Sequence, residues 1–168
     1  MSTPPENKKG AKKLRPNRER LKSLIAAHPF MNGLSPLHLA TITDYAMTTE
    51  FTPGQIIFRE GEIANRFYLL LAGEVVLESK NGSNPVVIET LAAGDVLGWS
   101  WMFEPYVWHF DARAIKPTRA IFLYGTWLRE FCDHNPELGY KLMKRMAKVL
   151  IQRLQATRRK SVEASQTA

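Results

Sequence analysis

From Phe51 to Val75 the chain reads FTPGQIIFREGEIANRFYLLLAGEV, and from Ala93 to Gly98 it reads AGDVLG. Short runs rich in Ile, Phe, Leu and Val are broken by glycine at Gly54, Gly61, Gly73, Gly82, Gly94 and Gly98. Short apolar runs with a turn signal about every ten residues mark an all-β sandwich, roll or barrel. The pattern predicts strands near 47–52, 55–59, 66–72, 74–80, 85–90, 95–97, 110–115 and 119–124. Asn81-Gly82 reads as a hairpin turn, since both residues tolerate positive φ. In Pro53-Gly54 the proline presets φ and the glycine follows it.

Outward from this β region the pattern turns helical on both sides. Leu21, Leu24 and Ile25 fall at helical spacing within 18–27, and Pro29 disfavours helix beyond His28. Ser35-Pro36 is a start signal, with Ser35 as N-cap and Pro36 in the first turn. Leu37, Ala40, Ile42 and Tyr45 are expected on the buried side of that second helix. A short helix is expected over 126–133, followed by a long one over 135–160 with Asn135 as N-cap and a polar tail at 161–168. The residues alone therefore give a mainly β fold with α, a sandwich, roll or barrel flanked by N-terminal helices and a long C-terminal helix. Residues 17–134 are expected to hold this β region and its helices, and 1–16, with almost nothing to bury, are expected to be disordered.

Composition narrows the function. The 168 residues are 45% hydrophobic and 23% charged, enough for one core without staples. The single Cys132 excludes a disulfide framework and a four-cysteine metal site. No apolar run reaches ~18 residues, so no membrane partner is expected. The basic start has no apolar stretch behind it and is no secretory signal, which makes the cytoplasm the expected location. The net charge of +7 is unevenly spread. Residues 141–160 carry eight Lys and Arg and no acid, while 23–140 carry seven basic and thirteen acidic residues. An acidic body thus sits between basic ends. His28, His38, His109 and His134 are scattered, and no Ser–His–Asp order, paired-carboxylate motif or phosphate-binding loop stands out. An enzyme and a metal site are not expected.

The segments Phe51-Thr52-Pro53-Gly54, Ile57-Phe58-Arg59-Glu60-Gly61-Glu62, Phe67 to Val75 and Ala93 to Gly98 resemble the cyclic nucleotide-binding domain. More narrowly, they are similar to the sensory half of catabolite-activator-type (Crp/Fnr) bacterial regulators. The resemblance covers about residues 20–158 and implies the fold class: mainly β with α, a double-stranded β-roll, or jelly-roll, flanked by N-terminal helices and a long C-terminal helix. It implies a phosphate cassette in which Gly-Glu opens a short helix and an Arg follows some residues later. Backbone N–H groups and the guanidinium would hold the cyclic phosphate, and the Glu a ribose hydroxyl. Here Trp99 stands at the Glu position and Trp108 at the Arg position; a gap in the alignment would let Arg113 take the Arg role. Cyclic AMP is disfavoured, because the phosphate would lose a charge-assisted partner worth roughly 1.5–3 kcal/mol. No other cofactor is named by the residues.

Six of the seventeen aromatic residues lie within 99–110. They would fill the old pocket, line a new pocket for a flatter and less anionic ligand, or, through His109, ligate a haem iron. Ligand contacts, if any, are expected from Gly98, Trp99, Ser100, Trp108, His109 and Arg113. The family's long helix pairs with its symmetry mate, so a homodimer is expected, with Met143, Met146, Leu150 and Leu154 at the seam. The competing reading is that this stripe only covers the roll. Ser161 to Ala168 are too few for a helix-turn-helix module, so the expectation is a regulatory or sensory domain standing alone, with a protein partner supplying output. The alternative is a non-specific nucleic-acid-binding or protein-interaction module using the basic ends, with nucleic-acid binding weak at most.

Overall fold

Alternation along two strands organises the molecule. The computed structural model describes residues 18–81 and 84–166. The expected tail at 1–16 and the glycine of the Asn81-Gly82 turn lie outside the described residues. In order, the elements are α1 (Arg18–Ala27), α2 (Pro36–Tyr45), β1 (Met47–Phe51), β2 (Ile56–Phe58), β3 (Arg66–Ala72), β4 (Glu74–Asn81) and β5 (Asn84–Ala92). Then follow β6 (Val96–Leu97), a 3-10 turn at Trp99–Met102, β7 (Asp111–Ala114), β8 (Thr118–Tyr124), α3 (Gly125–His134) and α4 (Pro136–Gln166). The strands form two antiparallel four-stranded sheets, β1-β8-β3-β6 and β2-β7-β4-β5, which face each other as a β-roll. β4 and β5 pair out to Asn81↔Asn84.

Successive side chains of a strand point to opposite faces. On β3, Tyr68 and Leu70 point into the roll and Phe67 and Leu69 toward the helices. On β8, Ala120 and Phe122 point inward and Ile121 and Leu123 outward. Both strands are buried on both faces, which is why their sequences read as unbroken apolar runs. The inner core adds Phe58, Val75, Leu77, Leu91, Leu97 and Trp108; the outer core adds Ile25, Met31, Leu128, Leu138, Leu142 and Met146. Gly73, between β3 and β4, has φ +90°, and a Cβ there would lie 2.6 Å from Thr118 Cα.

The helices differ from expectation in three respects. On α2, Ile42 is buried but Leu37 and Tyr45 are exposed, and Thr43 takes the inner place. Its hydroxyl donates to the Leu39 carbonyl at 2.6 Å, which satisfies the buried polar group within the helix. Asn135 stands at the N-cap position of α4, its carbonyl accepting from the Gly139 N–H at 3.0 Å, but its Nδ2 donates back to the Phe131 carbonyl at the end of α3. Finally, α4 does not stop at residue 160. No Gly or Pro interrupts 161–166, and the Thr157, Ser161 and Ser165 hydroxyls bond back to carbonyls four residues earlier. The expected polar tail is thus mostly the end of the helix.

The faces of α4 also redistribute the expected seam. Met146 is fully buried in the outer core with Leu138 and Leu142, so it covers the roll and cannot meet a partner. Leu150 is half-buried, and Met143 and Leu154 are exposed together with Tyr140, Ile151 and Val162. The apolar stripe is thus divided between a face that covers the roll and an exposed face.

Candidate functional site

The cassette segment begins at Gly98, where φ is +87°. Its neighbourhood explains that conformation: a Cβ would lie 2.8 Å from Trp108 Cη2 and 3.0 Å from the Arg66 carbonyl oxygen. After Gly98 the 3-10 turn sends its side chains to different places. Trp101 enters the outer core and tilts against Phe67, with ring centroids 5.6 Å apart. Trp99 is half-buried, tilted against His109 and edge-on to Phe103. Ser100 is buried, and its carbonyl accepts from the Phe103 N–H.

The segment then returns along the β2–β3 connection. The Ala64 N–H donates to the Tyr106 carbonyl at 2.7 Å, the Trp108 N–H to Glu62 at 2.9 Å, and the Gly61 N–H to Trp108 at 2.8 Å. This zipper fixes the Trp108 backbone on both sides. Its indole stacks on Phe58, with centroids 3.9 Å apart and planes 12° from parallel. Trp108 is 4% exposed. Between the stacked pair, Gly98, Ser100 and His109 there remains a cavity of 20 Å³. That volume admits about one water molecule, whereas ligand pockets run to roughly 300–1,000 Å³. On the other side of the pair an open cleft of 410 Å³ is bounded by Glu62, Asn65 and Arg66.

Five of the six expected ligand residues thus converge: Gly98, Trp99, Ser100, Trp108 and His109 all line the small cavity. Arg113 does not. It lies one residue beyond Ala112, whose side chain faces the roll, so it points to the opposite face of its sheet. There its guanidinium makes a two-point ion pair with the buried Glu78, including Nε to Oε2 at 3.1 Å. The pairing holds the Arg113 pKa above its ordinary value. His109 is exposed, and its Nδ1 lies 2.9 Å from the Val107 carbonyl. Among the described residues no cluster of three His, Cys, Asp or Glu groups could hold a metal ion.

Four further residues shape the site and are not among the ligand residues expected from the sequence. Phe58 supplies the stacking partner of Trp108. Arg129 of α3 donates to the Trp101 carbonyl and sets its guanidinium 4.1 Å from the Tyr106 ring centroid, bracing the cassette from outside. Tyr106 has φ +56°, the left-handed region that a non-glycine residue seldom adopts. Arg153 of α4 donates from Nη2 to the Val96 carbonyl at 2.7 Å, pairs with Glu89 at 3.3 Å and lines the cavity. The long helix is tied by this one side chain to the strand that leads into Gly98.

A family model for the cyclic nucleotide-binding domain matches residues 48–135. A solved cyclic nucleotide-binding protein from Geobacter metallireducens is 32% identical, superposes with a TM-score of 0.70, and is matched over 82% of this chain and 98% of that one. The CRP-like cAMP-activated global transcriptional regulator of Mycobacterium tuberculosis is 24% identical over 128 residues, which cover 76% of this chain and 57% of the regulator. The cAMP-dependent protein kinase regulatory subunit of Schizosaccharomyces pombe is 37% identical over 76 residues, 45% of this chain and 18% of that protein. The chain therefore spans little more than half of the first curated relative and under a fifth of the second. The glycines, the roll and the cassette's place in it agree with the matched region, and the chain belongs to the cyclic nucleotide-binding domain family.

Proposed function

We propose that this chain is a regulatory, non-catalytic domain with a degenerate cassette that does not hold a cyclic nucleotide in the family's manner. The stacking of Trp108 on Phe58 across Gly98 carries this reading, because it leaves 20 Å³ where a nucleotide would have to fit. Trp99 and Trp108 also provide no counter-charge for a phosphate, and Arg113 is engaged with Glu78 on the other face of the sheet. Gly98, Trp99, Ser100 and His109 would meet a ligand only after the Trp108 ring had left its stack. Output would pass through a homodimer along α4, or through a protein partner, in the cytoplasm. Among the described residues no helix is long and apolar enough to cross a membrane.

Calorimetric titration with cyclic AMP and cyclic GMP tests the reading. The expected result is no saturable heat at millimolar nucleotide. One-to-one binding at micromolar nucleotide would sink the closed-cassette argument.

A further inference from the structure

A second concavity lies on the other side of Arg153, between α4, the loop after α1 and the β5–β6 turn. Its volume is 640 Å³, within the usual range for small-molecule sites. Pro29, Phe30, Val96, Val149 and Ala156 give it apolar walls, and Arg145, Lys148 and Gln152 enter it from successive turns of α4. The cations lining it, Arg145, Lys148 and Arg153, outnumber its carboxylates, Glu89 and Asp95. Glu89 is paired with Arg153 at 3.3 Å, and the Asp95 carboxylate accepts from the Ala92 N–H at 2.8 Å. Neither Arg145 nor Lys148 has a carboxylate within ion-pair distance among the described residues. Arg145 is half-buried and gives one N–H to the Phe30 carbonyl, leaving most of its five donors for another acceptor. Burial lowers its pKa with no opposing carboxylate, the reverse of Arg113 beside Glu78.

We infer that this cleft is an anion site, separate from the cassette, for a small organic phosphate monoester. A half-buried guanidinium without a counter-ion is costly, and an oxyanion bound beside it removes that cost. The fork of Arg145 and the point charge of Lys148 together match a phosphate carrying a charge of about −2. The volume exceeds what a bare phosphate fills, and the apolar walls suit the organic body. Asn32 and Gln152 stand at the rim as hydrogen-bonding groups for that body's hydroxyls. A ligand here would sit against Arg153, and so against the tie between α4 and Val96.

Calorimetric titration of the full chain with ribose 5-phosphate, ribose and inorganic phosphate tests the assignment. Ribose 5-phosphate is expected to bind one per chain, more tightly than inorganic phosphate, and ribose not at all. Lys148→Gln, an exposed position that should fold normally, is expected to weaken binding about tenfold or more, as is Arg145→Gln. Lys144→Gln, on α4 but outside the cleft, is expected to leave it unchanged. No saturable binding of ribose 5-phosphate at millimolar concentration would overturn the inference. So would a loss in Lys144→Gln equal to that in Lys148→Gln, which would mark a diffuse surface charge. The outcome is independent of whether cyclic nucleotides bind the cassette.

Discussion

Gly98 and Trp108 depend on each other: the glycine's bare Cα lets the indole lie flat across the cavity. Gly98→Ala would strain a φ of +87° and push the ring off Phe58, at an expected cost of about 1–3 kcal/mol in a urea melt. A melt unchanged from wild type would show that the ring has room the geometry denies it. His28 is a buried residue whose titration bears on stability. Its Nδ1 accepts from the Phe30 N–H at 3.2 Å, and burial holds its pKa below the ordinary 6.5. The unfolded chain therefore takes up this proton more readily than the folded one. The stabilisation is complete above about pH 6.5 and is lost as the pH falls through that value toward the folded-state pKa. Between about pH 7 and about pH 5, the urea midpoint should decline more steeply in wild type than in His28→Gln; parallel declines would contradict this role. The cassette tryptophans are legible because Trp99 directly follows Gly98 and Trp108 lies at a countable distance before the strand that ends at Ala114. Arg113 stays away from the cavity because it neighbours the inward-facing Ala112, and successive residues of a strand use opposite faces. Arg129 and Arg153 were illegible because they act 28 and 57 residues away from their acceptors.

At the level of elements, the strands are legible because they are short runs of β-formers, most of them bounded by turn residues such as Gly54, Gly73 and Gly94. The helices were located well, but their faces were not. Leu37 and Tyr45 of α2 lie outward, and Tyr45 stacks on Trp127 of α3 with centroids 4.1 Å apart, a contact that no spacing rule foretells. On α4 the stripe divides into a face buried through Leu138, Leu142 and Met146 and an exposed face that carries Met143 and Leu154. At ~1.5 Å per residue its 31 residues extend roughly 46 Å, and every residue from 157 to 166 is exposed. A row through Tyr140, Met143, Ile151 and Leu154 is the surface a symmetry mate would cover. Leu154→Glu, 71% exposed in one chain, should leave the roll's stability unchanged and convert a dimer to a monomer by light scattering. A wild-type chain that is already monomeric at micromolar concentration would rule out the α4 dimer.

For the whole molecule, the charge pattern read from the sequence corresponds to a division of labour along α4. Lys144, Lys148, Arg158, Arg159 and Lys160 are exposed, while Arg145 and Arg153 turn toward the roll. The arrangement of β3 and β8 has a larger effect. These two strands are a wall common to both cores, with Tyr68 and Phe122 on one side and Phe67 and Ile121 on the other. Neither core can come apart while its neighbour keeps the wall in place. The roll and its helices should therefore melt as one cooperative unit, with equal calorimetric and van't Hoff enthalpies. A disturbance beginning at the Phe58–Trp108 stack would likewise be felt by the helices at once, without any hinge to carry it.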